Sequence, residues 1–148
     1  MKKTLYLVVI MVIVLTFFVI GCSSDKNAEN TTGFKYYSAE QLKQRIIAEK
    51  PVKIVDIQVK EEFNKHHIKD AIPTYAYPVK SAKDKAKLEK ILPELKKSED
   101  PIVIVCPRGA GGAERTYKYF ADIGIDKNRL YILENGQAGW PYDELLEK

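Results

Sequence analysis

A single cysteine inside a glycine-rich turn is the strongest chemical signal in the chain. Cys106 closes the run Ile102-Val103-Ile104-Val105, and Pro107-Arg108-Gly109-Ala110-Gly111-Gly112 leads from it into an apolar-periodic stretch from Ala113 to Ile123. This order predicts a strand, a tight loop and a helix, with the thiol at their junction. Amides at the start of a helix lack intrahelical partners and carry the positive end of its dipole, so sulfur placed there meets donors suited to an anion. A thiolate in such a cradle is a nucleophile. The competing reading is a small side chain closing a core strand, the commoner fate of a lone cysteine. Glycines at 109, 111 and 112 oppose it, because packing alone needs no backbone so close to the sulfur. The candidate anion-binding set is therefore the loop backbone through Gly109, Ala110, Gly111 and Gly112.

Three other places could do chemistry. Asp56 ends the aliphatic run Val52-Lys-Ile-Val-Asp-Ile57 and is open to two readings, a general base or an acceptor for backbone N–H groups. His66 and His67 are adjacent, so on a short turn they point apart, and no cysteine or carboxylate completes a metal set. We assign His67 a structural role, packed or hydrogen-bonded at the domain edge, and His66 to solvent; neither a metal nor a cofactor is expected. Tyr75 and Tyr77 follow a strand and could line a pocket or fill the core. The lysine-rich run from Lys80 to Lys97 reads as the wet face of an amphipathic helix.

Strands and helices alternate along the chain. Ser38-Ala-Glu-Gln41 has capping-box spacing and predicts a helix from Ala39 to Glu49 ended by Pro51, then a strand over Val52–Ile57. Lys60 to Lys65 predicts a helical turn and Ala71 to Tyr75 a short strand. Ser81 caps a helix from Ala82 to Leu92, which Pro93 should break. Ile102 to Val105 is the central strand, Ala113 to Asp122 the helix after the cysteine loop, Leu130 to Leu133 another strand, and Trp140, Leu145 and Leu146 lie on a last short helix. Such alternation implies parallel pairing through crossover helices, an α/β layered sheet.

With 148 residues, the chain has room for one domain, and 45% hydrophobic content supplies its core. The formal charge of +4 falls to +2 without Lys2 and Lys3, and the remaining lysines are interleaved with Asp and Glu, so no nucleic-acid face is expected. Met1-Lys2-Lys3 followed by the apolar stretch Leu5 to Ile20 reads as an export signal over residues 1–21. Val19-Ile20-Gly21-Cys22 resembles the bacterial lipoprotein processing box. That resemblance implies a lipid on the sulfur of Cys22, a domain outside the cytoplasm tethered to a bacterial membrane, and Cys106 as the one free thiol left. Residues 22–33 are small and polar and read as a flexible tether, with the folded domain over residues 34–148.

From about Tyr37 onward the residues resemble the rhodanese family, in its single-domain form. Four patches carry the resemblance: Val55-Asp56-Ile57 with Glu62-Phe63; His67-Ile68 with Ala71-Ile72; Val103-Ile-Val-Cys106 with Gly109; and Leu133-Glu-Asn-Gly136 with Trp140. It implies a central parallel five-stranded sheet flanked by helices on both faces. It also implies a sulfurtransferase in which Cys106 accepts sulfane sulfur as a persulfide from a small sulfur-containing anion and passes it to a thiol or other acceptor. Asp56 would then hold neighbouring loops through their backbone amides, and Arg108, where thiosulfate-using relatives often carry a basic residue, would bind the anion, with Arg115 either a weaker second candidate or simply a residue of the exposed helix face. The chain departs from the family pattern at Gln58 and Gly111, where many members carry arginine, at His66 and Asp70, where they carry glycine, and at Asn135. A cysteine phosphatase or arsenate reductase would need arginine six residues after the cysteine, where this chain has Gly112. The rival from another class is a non-enzymatic module that keeps the rhodanese shell to dock a partner at the membrane; the residues name no such partner.

Overall fold

The computed structural model describes residues 33–148 of the chain. The export signal, Cys22 and the tether up to residue 32 lie outside the described residues. A five-stranded sheet runs through the domain in the order β1 (Tyr36–Tyr37), β6 (Leu130–Leu133), β5 (Ile102–Val105), β2 (Lys53–Asp56), β4 (Ile72–Pro73), with every pairing parallel. Its helices are α1 (Ala39–Ile47), α2 (Lys60–Lys65), α3 (Ala82–Glu89), α4 (Leu92–Leu95) and α5 (Gly111–Asp122). No helix among the described residues is long and apolar enough to cross a membrane.

The central strand explains the layering. All four residues of β5 are fully buried, and alternate ones point to opposite faces. Ile102 and Ile104 join a cluster with Leu88 of α3, Leu95 of α4, and Ala113, Tyr117 and Phe120 of α5. Val103 and Val105 join the opposite cluster with Leu42 of α1, Ile68 and Trp140. Each buried aliphatic side chain contributes about 2 kcal/mol on leaving water, so a strand apolar on both faces fits only where helices cover both. Two helix starts are fixed locally. The Ser38 hydroxyl accepts from Gln41 N at 3.1 Å while Ser38 N donates to Gln41 Oε1 at 2.9 Å, and Ser81 with Asp84 repeats the exchange at 3.1 Å in each direction.

Several boundaries differ from the sequence expectation. The first helix stops at Ile47 because Glu49 takes a left-handed φ of 50°. The strand near Ala71 is only Ile72–Pro73, cut short where Tyr75 takes φ 55°. Pro93 does not simply end the helix before it. That helix closes at Glu89, and Pro93 lies in the first turn of α4, where a missing N–H costs nothing. The helix after the cysteine starts two residues earlier than expected, at Gly111, so two loop glycines form its first turn. The expected terminal helix is absent: Gln137–Gly139 and Asp143–Leu145 are single 3₁₀ turns, and β7 (Leu146–Glu147) pairs antiparallel with β3 (His67–Ile68). Pro141 interrupts the stretch, and β3 offers Leu146 and Glu147 a ready ladder.

Candidate active site

Parallel α/β sheets bind ligands at the carboxyl ends of strands where the chain leaves in opposite directions. Here β2 passes the chain outward to β4, and β5 passes it the other way to β6. The switch point therefore lies between β2 and β5. Asp56, the last residue of β2, pairs in register with Val105, and Cys106 follows immediately.

Cys106 is a free thiol with 2% of its surface exposed. It continues the alternation of Ile102 and Ile104 and touches the same apolar cluster. Its Sγ donates to the carbonyl of Ala110 at 3.9 Å, an oxygen that also accepts from Ala113 N at 2.8 Å. The turn after β6 grips the loop from outside: Gln137 N donates to the carbonyl of Cys106 at 2.9 Å and Ala138 N to that of Pro107 at 3.0 Å. With those two carbonyls occupied, the amides of residues 108–112 meet no backbone acceptor among the described residues. Five donors thus surround the start of α5, where the helix dipole adds its positive end.

One of the loop glycines is required by space and a second is closely packed. Gly109 has φ 65°, and a β carbon there would lie 2.6 Å from Asn135 N and 2.7 Å from the carbonyl of Leu133. At Gly112 a β carbon would lie 3.0 Å from the Tyr77 ring and 3.2 Å from Ile57 Cδ1. No arginine can stand at that position without displacing them. Arg108 and Ala110 form the exposed rim, and Arg108 makes no hydrogen bond or ion pair among the described residues.

Asp56 is wholly buried. Its Oδ1 accepts from Gln58 N at 2.7 Å, while Oδ2 has no partner. Its backbone carbonyl takes both Thr74 N and Thr74 Oγ1 at 2.9 Å, tying the loop after β4 to β2. Burial raises the carboxyl pKa to about 7, against the opposing pull of the Gln58 amide. Gln58, 3% exposed, also carries an unpaired oxygen, and both side-chain polar atoms of Gln137 are unpaired. Orphaned buried polar atoms of this kind gather at functional sites.

His67 lies away from this loop. Its ring stacks on Phe63 at 3.7 Å, Nδ1 is 3.0 Å from the carbonyl of Phe63, and Nε2 is 3.8 Å from Glu147. His66 is half-buried. Tyr77 packs over Gly112, and Tyr75 meets Phe63 edge-on at 5.8 Å. Sequence reasoning missed the grip of Gln137 and Ala138, for which adjacency to Gly136 was the only available signal.

An α/β domain with a loop cysteine at the switch point of a parallel sheet defines a class of protein. Within it, the model of the Rhodanese-like domain family matches residues 38–142, and the chain belongs to that family. It is similar to a rhodanese-like domain protein from Staphylococcus aureus, with 27% identity, 76% of this chain and 95% of that chain covered, and a TM-score of 0.51. It is similar in fold to thiosulfate sulfurtransferase from Pseudomonas aeruginosa at 20% identity, with 80% of this chain and 21% of that one covered and a TM-score of 0.60. The fold is also shared with a yeast protein tyrosine phosphatase of the Rhodanese family, at 16% identity, 75% and 89% coverage and a TM-score of 0.57. No curated protein matches the chain.

Proposed function

We propose that the domain is a sulfurtransferase that carries sulfane sulfur on Cys106. The observation that carries this reading is the set of five amides, residues 108–112, that meet no backbone acceptor among the described residues in the loop directly after a cysteine at the switch point of the sheet. The proton that Sγ shares with the Ala110 carbonyl leaves to solvent, and the thiolate attacks the outer sulfur of thiosulfate. A bond forms from Sγ to that sulfur, the sulfur–sulfur bond of the donor breaks, and sulfite leaves with its electron pair. The terminal sulfur of the persulfide carries the negative charge, which the loop amides solvate. An acceptor thiolate then takes that sulfur and returns Cys106 as thiolate.

Incubation with thiosulfate adds the mass of one sulfur atom to the wild-type domain and none to Cys106→Ser. A wild type left unmodified by several sulfane donors would defeat the proposal. A second reading, a docking module without catalysis, is favoured by the 2% exposure of Cys106; it predicts that same unmodified wild type. Phosphatase chemistry has no support at Gly112, which supplies no guanidinium and where Tyr77 and Ile57 crowd even a β carbon.

The proposal includes membrane tethering through lipid on Cys22, supported by the export-signal pattern and the processing box before it. Intact-mass analysis of protein taken from bacterial membranes reports that lipid directly, and a free Cys22 thiol there would overturn the tether.

A further inference from the structure

The family's loop arginine, five residues after the cysteine, is Gly111 in this chain, and the space it leaves is occupied. A β carbon on Gly111 would lie 2.9 Å from Nη1 of Arg115, 3.7 Å from its Cζ and 3.8 Å from Nη2. Arg115, one helical turn further on, folds back along α5 so that its guanidinium covers the first residue of the helix. The Arg115 Nε donates to the carbonyl of Pro78 at 2.9 Å, which fixes the side chain and leaves both Nη groups without a hydrogen bond among the described residues. Beyond the guanidinium opens a cleft of about 300 Å³ lined by Arg115, Lys80, Lys85, Lys118, Tyr119 and Asp122. None of these four cations makes an ion pair among the described residues; Asp122 is the one carboxylate in the lining, while just outside it Asp84 accepts from Lys80 N at 3.0 Å and Glu89 from the Tyr119 hydroxyl at 2.7 Å. Lys85 rests over the Tyr119 ring at 5.4 Å and Lys118 over Phe34 at 5.4 Å, so their stems are placed while neither ammonium is held in an ion pair among the described residues.

We infer that Arg115 and this basic cleft hold the carboxylate end of a low-molecular-weight persulfide whose outer sulfur is delivered to Cys106. The inference rests on the sulfurtransferase reading for the delivery step and on the cleft alone for the binding step. Four cations against one carboxylate in the lining leave the cleft positive, which an anion relieves. The cations extend from the loop rim across a cleft wider than an inorganic anion fills, which suits a donor with its reactive sulfur at one end and carboxylates at the other. Transfer is balanced. The Cys106 thiolate bonds to the outer sulfur of RS–SH, the RS–S bond breaks, and RS⁻ leaves with the electron pair while the transferred sulfur keeps its proton.

Glutathione persulfide, which bears two carboxylates, is the probe, with thiosulfate for comparison. Arg115→Ala raises the KM for glutathione persulfide about ten-fold, the size expected for one lost charge-assisted contact, with a smaller change for thiosulfate and little change in kcat. Gly111→Ala keeps the charge and the Pro78 bond but pushes the guanidinium aside, and it moves the same KM in the same direction; Lys80→Ala adds a smaller rise. Unchanged KM values for glutathione persulfide in both Arg115→Ala and Gly111→Ala overturn the inference. A catalysis-free arm uses Cys106→Ser titrated with glutathione and followed at the Arg115 Nε–H resonance. A saturable shift supports the cleft even where no sulfur is transferred to Cys106, and its absence overturns the cleft while leaving the persulfide chemistry standing.

Discussion

Gly136 sits so close to Cys106 that a β carbon on it would overlap the Cys106 carbonyl oxygen. The same carbon would fall 2.8 Å from Arg108 N and against Gly109 N, so the turn after β6 lies directly on the backbone of the cysteine loop. Gly136 also takes φ 58° and ψ −152°, a region that side chains avoid. Gly136→Ala therefore costs about 3–5 kcal/mol of stability, combining backbone strain and overpacking. Urea unfolding measures it, and a loss below about 1 kcal/mol would mean the two loops separate easily.

Asp56 sets a pH dependence on the fold. Its carboxyl titrates at about 7 in the folded protein against an ordinary value of 3.8. Between these values the folded protein holds a proton that the unfolded chain has released, so the contribution of Asp56 to stability is greatest below about pH 4 and falls as pH rises, levelling off above 7. The shift corresponds to about 4 kcal/mol. Asp56→Asn keeps an oxygen for the Gln58 amide and removes the ionisation. Its unfolding free energy should then vary little between pH 5 and 8, with the gain over wild type larger at pH 8. Equal gains at both pH values would show that the carboxyl titrates normally.

Arg108 is exposed and tied to nothing. Arg108→Ala leaves the unfolding midpoint within about 0.5 kcal/mol of wild type, as surface changes do, while raising the thiosulfate concentration needed for half-maximal sulfur loading of Cys106. An unchanged dependence on thiosulfate would leave anion recognition to the backbone amides.

Arg129 offers a control remote from the cysteine. Its side chain is buried, Nε donates to the carbonyl of Asp100 and Nη2 to that of Leu95, both at 2.9 Å. Arg129→Met strands both carbonyls and costs about 2–3 kcal/mol, with sulfur loading per folded molecule unchanged. Glu99, 3.9 Å from Nε but 90% exposed, adds little, so Glu99→Gln stays within about 0.5 kcal/mol.

What the sequence revealed and what it hid separate along physical lines. β5 and β6 were legible because strands buried on both faces must be apolar throughout, and α1 and α3 because Ser38 and Ser81 announce their starts with partners three residues on. The cysteine loop was legible from its glycines, although residues 111 and 112 proved to be helix, since glycine propensity says nothing about a first turn held by its surroundings. The β3–β7 pairing was not legible: strands of two residues carry no period. Nor was the exchange between Gly111 and Arg115, because a lost arginine and a gained one read as separate events until the backbone brings them together.

The outermost strands of the sheet, β1 and β4, are two residues each, and β4 ends in Pro73. A border so brief exposes almost no ladder for another chain to extend, and proline withholds an N–H that such an extension would need. Copies of this domain crowded together therefore find little at either border of the five-stranded sheet from which to zip into a shared one.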